Sequence, residues 1–288
     1  MVLASLMLWT ATGAFCQQYR VAACDWMMLK RQKLGEFQLA RDIGADGVEM
    51  DMGPLGQREQ FENKLREPEF QQLFPRTADS LGIAVPSVAM SGFFAQSLLK
   101  RENYLELVDD CLQTMQYMKS SVAFLPLGGC GHEWQTDLAQ RALLVDRLHR
   151  IGEAAKQKGK VVGIRTGLNA KETLRLLKEI GSEGIKVYYN LQDAVDQGND
   201  PSKELRQLGA GRICQIHASL TDSVTLDRDP RIDLYAVKQT LDHIGWSGWL
   251  VVERSRDINN VRDVRGNYGT NVQYLKKVFC EETINNNN

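Results

Sequence analysis

No charge of either sign dominates this chain: 35 lysines and arginines stand against 36 aspartates and glutamates, a formal net charge of −1. Without a basic surplus there is no general field for nucleic acid or an anionic membrane, so neither is expected as a partner. A membrane-spanning run is missing too, since the apolar stretch over residues 2–15 is too short to cross a bilayer. Six cysteines in 288 residues are too few for a disulfide framework. Cys24, Cys111, Cys130, Cys214 and Cys280 lack metal-type spacing and read as small buried hydrophobes. No Gly-x-Gly-x-x-Gly follows the first strand candidate, which argues against a dinucleotide-binding sheet.

The first residues differ from the rest. Residues 2–15 are apolar and uncharged, and Ala14-Phe15-Cys16 leads into the polar Gln17-Gln18. This has the apolar core and small-residue site of a secretory signal, although no Lys or Arg precedes Arg20. Residues 1–18 are therefore expected to be a signal peptide or an N-terminal extension. The first case implies export, to the periplasm; the second, a cytoplasmic protein. The bulky Phe15 argues against Cys16 as a lipid anchor. At the other end, residues 282–288 close in an Asn run and are expected to be a disordered tail.

Between these ends, short aliphatic runs alternate with amphipathic helical patterns. Strands are expected at Arg20–Cys24, Asp46–Asp51, Ala84–Met90, Ser121–Leu127, Val161–Arg165, Ile185–Asn190, Ile213–His217 and from Gly248 onward. Helices are expected over Leu34–Ile43, Gln57–Leu81 with interruptions at Pro68 and Pro75, Leu98–Met118, Thr136–Lys158, Ala170–Ile180, Lys203–Leu208, Ile232–Ile244 and Tyr268–Phe279. Eight strand–helix alternations in about 250 residues indicate a single-domain α/β fold, a (β/α)₈ TIM barrel over residues 19–281.

Four consecutive strand runs end in polar side chains: Arg165, Asn190, His217 and Glu253. In a parallel barrel such ends face the mouth where βα loops assemble active sites. Each has a plainer reading. Arg165 and Glu253 are also readable as a structural ion pair, Asn190 as a turn residue, and His217 as a satisfied core side chain. Asp25, Trp26, Glu49 and His132 also fall at strand ends or in βα loops and are candidates for lining a polyol pocket. Trp26 and Trp134 have rings suited to sugar faces, though packing is the commoner role.

Several segments carry a resemblance to the xylose-isomerase-like sugar isomerase/epimerase superfamily. They are Ile43-Gly44-Ala45-Asp46-Gly47-Val48-Glu49, Lys186–Asn190, Arg212–His217 and Gly245–Glu253, and the likeness covers nearly all of Arg20–Phe279. It implies a sugar or sugar derivative as substrate. It also implies one divalent cation (Mn²⁺, Mg²⁺ or Zn²⁺) held by Glu, Asp, His and Glu at the ends of strands five to eight, the two glutamates moving a proton beside a carbonyl. His217 and Glu253 match that set. Arg165 stands where the first glutamate belongs and Asn190 where the aspartate belongs. Arginine offers no lone pair and stays protonated. The ligands left are His217, Glu253 and the Asn190 carbonyl, so no tightly bound cofactor is expected, and Arg165 is expected to contact Glu253. The resemblance then implies an isomerase or epimerase with a degenerate metal site and Glu253, His217 and Arg165 as catalytic residues. A carbohydrate-binding barrel without catalysis and a lyase or hydrolase on the same scaffold are the alternatives. A metal-dependent endonuclease is disfavoured by four histidines and the balanced charge.

Overall fold

In the computed structural model, residues 18–281 are described, so nearly all of the expected N-terminal segment and the 282–288 tail lie outside the described residues. Eight strands close in sequence order: β1 (Tyr19–Cys24), β2 (Gly47–Asp51), β3 (Ser87–Ala89), β4 (Val122–Pro126), β5 (Val161–Arg165), β6 (Ile185–Asn190), β7 (Ile213–His217) and β8 (Gly248–Val252). Neighbours run parallel, and β8 pairs back onto β1 from Tyr19↔Gly248 to Ala23↔Val252. The expected (β/α)₈ barrel is thus what forms. Outside it lie α1 (Gly35–Asp42), α2 (Pro68–Leu81), α3 (Tyr104–Tyr117), α4 (Leu138–Gln157), α5 (Ala170–Ile180), α6 (Leu191–Asp196), α7 (Pro201–Leu208), α8 (Leu234–His243) and α9 (Val264–Phe279). Among the described residues no helix is long and apolar enough to cross a membrane.

Strand alternation divides the interior in two. Outward-facing Val21, Val48, Met50, Val162, Ile164, Ile216, Leu250 and Val252 pack against the helices in the main core. Inward-facing Ala22, Cys24, Ala89, Val122, Phe124, Tyr188 and Val251 form a smaller cluster in the barrel centre. Both faces of each strand are therefore dry, which is why the strands read as continuous apolar runs.

Three expectations need correction. The helical stretch expected from Gln57 begins only at Pro68, where the missing N–H is not needed, and runs through Pro75 without a break. Gly82, at φ 65°, ends it in the left-handed region. Helix three is shorter than Leu98–Met118; Val108, Leu112 and Met115 are its buried stripe, whereas Leu105 is 38% exposed. The short helix α6 was not expected. It starts at the last residue of β6, with Asn190 as N-cap accepting from the Asp193 N–H at 3.2 Å.

Candidate active site at the barrel mouth

Because β5 to β8 are neighbours, their C-terminal ends bring Arg165, Asn190, His217 and Glu253 together. Glu253 is the first residue past β8. Arg165 Nη1 donates to Glu253 Oε2 at 3.2 Å, His217 Nδ1 lies 3.6 Å from the same oxygen, and Asn190 Nδ2 is 3.4 Å from His217 Nδ1. All but Arg165 are nearly or fully buried. A fifth member was not foreseen. Asp193, in the first turn of α6, takes Arg165 Nε at 2.9 Å and Nη2 at 2.6 Å, the two-pronged match of guanidinium and carboxylate. Its signal was present as an Asn-x-x-Asp spacing, an N-cap followed by an acid in the first helical turn. Burial alone would lower the Arg165 pKa, but Asp193 and Glu253 outweigh it and raise it, so the guanidinium stays charged.

Below this layer Glu49 sits fully buried in the barrel centre. Its Oε1 meets His217 Nε2 at 2.8 Å, and its Oε2 accepts from Tyr188 Oη at 2.5 Å and Ser87 Oγ at 2.7 Å. Gln215 Nε2 donates to both hydroxyls at 2.8 Å. Burial, followed by the Glu49 charge, pushes the Tyr188 phenol well above its usual range, so it acts as a donor. Gly163 makes room for this lattice: a Cβ there would come within 2.5 Å of Cys214 Sγ and 3.0 Å of Tyr188 Cβ. Ser87, Tyr188 and Gln215 gave no sign in the sequence. Each is an ordinary strand residue until the barrel closes.

The remaining candidates divide. Trp26 stacks on Phe124 (ring centroids 6.4 Å apart, planes at 6°) and meets His217 edge-on at 6.4 Å, so it does line the mouth. Phe94 joins it, 5.8 Å from Phe124 and with the Arg165 guanidinium over its face at 5.5 Å. Asp25 is fully buried and its oxygens accept from the backbone of Gln32 and Asp51 at 2.9 and 3.1 Å. His132 stands exposed beyond β4 with its ring facing Gln135 at 3.4 Å. Trp134 is buried, its indole N–H bonded to the Gly131 carbonyl at 3.0 Å.

Two of the four implied ligand positions carry no anionic donor. Of the implied set, one position is a guanidinium already seated on Glu253 and another is a neutral amide whose oxygen caps α6. Among the described residues no three His, Cys, Asp or Glu side chains are grouped so as to hold a metal ion. A cation beside Arg165 would meet like-charge repulsion of roughly 4 kcal/mol or more at about 4 Å and an effective dielectric near 20.

A closed parallel barrel with a polar mouth defines the class, and the sequence defines the family. The model for the xylose isomerase-like TIM barrel matches residues 37–278, and the chain belongs to that family. A curated relative, inosose dehydratase from Geobacillus thermodenitrificans (strain NG80-2), is 27% identical over 140 residues, covering 40% of this chain and 47% of the relative. The chain thus matches about half the length of that relative. Among solved structures, D-psicose 3-epimerase from Clostridium cellulolyticum H10 with D-tagatose has a TM-score of 0.72 at 13% identity, over 90% of this chain and 99% of that one. L-ribulose 3-epimerase has a TM-score of 0.70 at 17% identity, over 91% and 94%. At such identities the structural likenesses show the fold.

Proposed function

We propose that the barrel mouth removes and returns a proton on a carbon beside a carbonyl of a sugar or sugar derivative, as an isomerase or epimerase does. Glu253 is the proton acceptor. Arg165 faces the charge that gathers on the carbonyl oxygen; its hydrogen bonds to Asp193 and Glu253 use three of the five guanidinium N–H groups, leaving two for substrate. Trp26 and Phe94 offer apolar faces for the carbon skeleton. The observation that carries this reading is the Arg165–Glu253–His217 contact at the strand ends. The names of the relatives support it, since they act on ketoses and an inosose. A dehydratase reaction would start from the same proton abstraction and then expel hydroxide.

One observation favours a second reading, a carbohydrate-binding barrel without catalysis. Glu253 is 3% exposed and already accepts a hydrogen bond from Arg165, so a sugar reaches it only by displacing a structural contact. The two separate by incubating the protein in D₂O with D-psicose, D-tagatose, L-ribulose and an inosose, and following loss of C–H signals by NMR. Exchange should appear, and Glu253→Gln should slow it by about 10²–10⁴-fold. Sugar binding in calorimetry with no exchange would instead establish the binder.

A further inference from the structure

The hydrogen bonds under the mouth run in one direction, and that direction specifies where the proton on His217 sits. Asn190 Oδ1 accepts from the Asp193 backbone, so Asn190 turns its N–H groups towards His217 Nδ1 at 3.4 Å. At the other end, the Gln215 amide donates to both Ser87 Oγ and Tyr188 Oη, and each hydroxyl passes its own proton to Glu49 Oε2. Turning the Gln215 amide round would make both hydroxyls donate to Gln215 and leave a buried carboxylate without them. An ionised Glu49 completes this pattern as acceptor only, and the ring nitrogen 2.8 Å from its Oε1 is then the one that donates. Phe124, Tyr188 and Trp26 wall the imidazole, with ring centroids 4.8, 4.4 and 6.4 Å away, which keeps water from offering another partner.

We infer that Glu49 is a positioning residue, which keeps the His217 proton on Nε2 and presents a bare Nδ1 to Glu253. Resting on the proton-transfer function proposed above, that nitrogen receives the proton Glu253 takes from substrate. The substrate C–H bond breaks, its electron pair moves to the carbonyl oxygen facing Arg165, and the proton lands on Glu253 Oε2. From there it passes to His217 Nδ1, 3.6 Å away, and the imidazolium lies between Glu49 and the restored Glu253 carboxylate. A proton from Glu253, exchanged with solvent while the substrate is deprotonated, then returns to the carbon as the oxygen gives back its electron pair. His217 thus supplies the second proton-holding group that Arg165 displaced from β5.

Long-range ¹H–¹⁵N correlation of the full chain reads the tautomer without any substrate. His217 is assigned by loss of its signals in His217→Gln. His149 is a built-in reference for the opposite form, because its Nδ1 faces the Ile180 carbonyl at 2.8 Å and must donate. His217 should show a proton on Nε2 and none on Nδ1; a proton on Nδ1, alone or with Nε2, overturns the proposal. Glu49→Gln, folded as judged by an unchanged circular dichroism spectrum, should move the proton to Nδ1 by placing an amide N–H opposite Nε2. An unchanged tautomer there removes Glu49 from its assigned role. With an exchanging sugar in hand, the Glu49→Gln rate should fall about 10²-fold or more at unchanged KM, and a flipped tautomer with an undiminished rate would overturn the relay. If no sugar exchanges, the proton-transfer function and the relay fall together while the tautomer result stands.

Discussion

The two halves of the barrel use their acidic side chains differently. At the ends of β1 and β2, Asp25 and Asp51 are fully buried and accept from the main chain. Asp25 accepts from the Gln32 and Asp51 N–H groups, and Asp51 accepts from Ser91 N–H at 3.0 Å and pairs with Arg31 at 2.7 Å. After β5 to β8 the polar side chains are tied mainly to one another, as in Arg165 with Asp193 and Glu253. A carboxylate held by backbone amides is part of the scaffold. One held by another side chain is released when that partner turns to a ligand. The first half therefore clasps loops through Asp25 and Asp51, whereas the second half, with Glu49 reaching across from β2, holds polar side chains against one another.

Substitutions can break this contrast. The largest effect is expected from Arg165→Ala, which strands Asp193 and Glu253 and should lower stability by about 3–5 kcal/mol in denaturant titration. Arg165→Glu tests the same position in the other direction: it restores a third ionisable ligand beside His217 and Glu253, and calorimetry should then detect Mn²⁺ binding. Tight Mn²⁺ binding by the unmodified protein, unaffected by the change, would contradict the assignment of Arg165. Next comes Asp25→Ala, which leaves two buried N–H groups without an acceptor and should cost about 2–4 kcal/mol, while sugar binding at the mouth persists in calorimetry.

The smallest effect expected is a pH dependence in the first half. Burial raises the Asp51 carboxyl to about 6, although Arg31 and the Ser91 contacts pull it down. Burial likewise raises Asp25, with the Asp51 charge adding to it, and raises Glu36, with the charge and hydrogen bond of Asp25 adding to it. The folded state then holds more protons than the unfolded chain. The stability Asp51 lends in this way is fully present below its unfolded value near 3.8 and is lost as pH rises through about 6. For Asp51 the loss is of order 2 kcal/mol. Thermal melts between pH 4 and 7 should show it, and Asp51→Asn should flatten it.

The barrel was readable because its strands are dry on both faces and its helices carry stripes, both local patterns. The Arg165–Glu253 contact was readable because strand ends in a parallel barrel share one rim. The Glu49 lattice was not, since it joins Glu49 to His217 and Tyr188 across 168 and 139 residues. No local period marks a strand residue that pairs across a closed barrel. Asp25 is a different case: two of its partners are the backbone amides of Gln32 and Asp51, which every sequence has and none advertises.

Closure of β8 onto β1 also brings the two ends of the described chain together on the face opposite the mouth. Gln18 reaches the Trp246 carbonyl at 3.1 Å and Cys280 Sγ reaches the Tyr19 carbonyl at 3.5 Å. A short linker could join these ends and new ones be cut in an exposed turn such as that at Gly198, giving a circular permutant with the same barrel. A protein fused ahead of residue 18 would likewise hang from the rear of the molecule, leaving the approach to Trp26 and Phe94 clear for immobilisation or imaging.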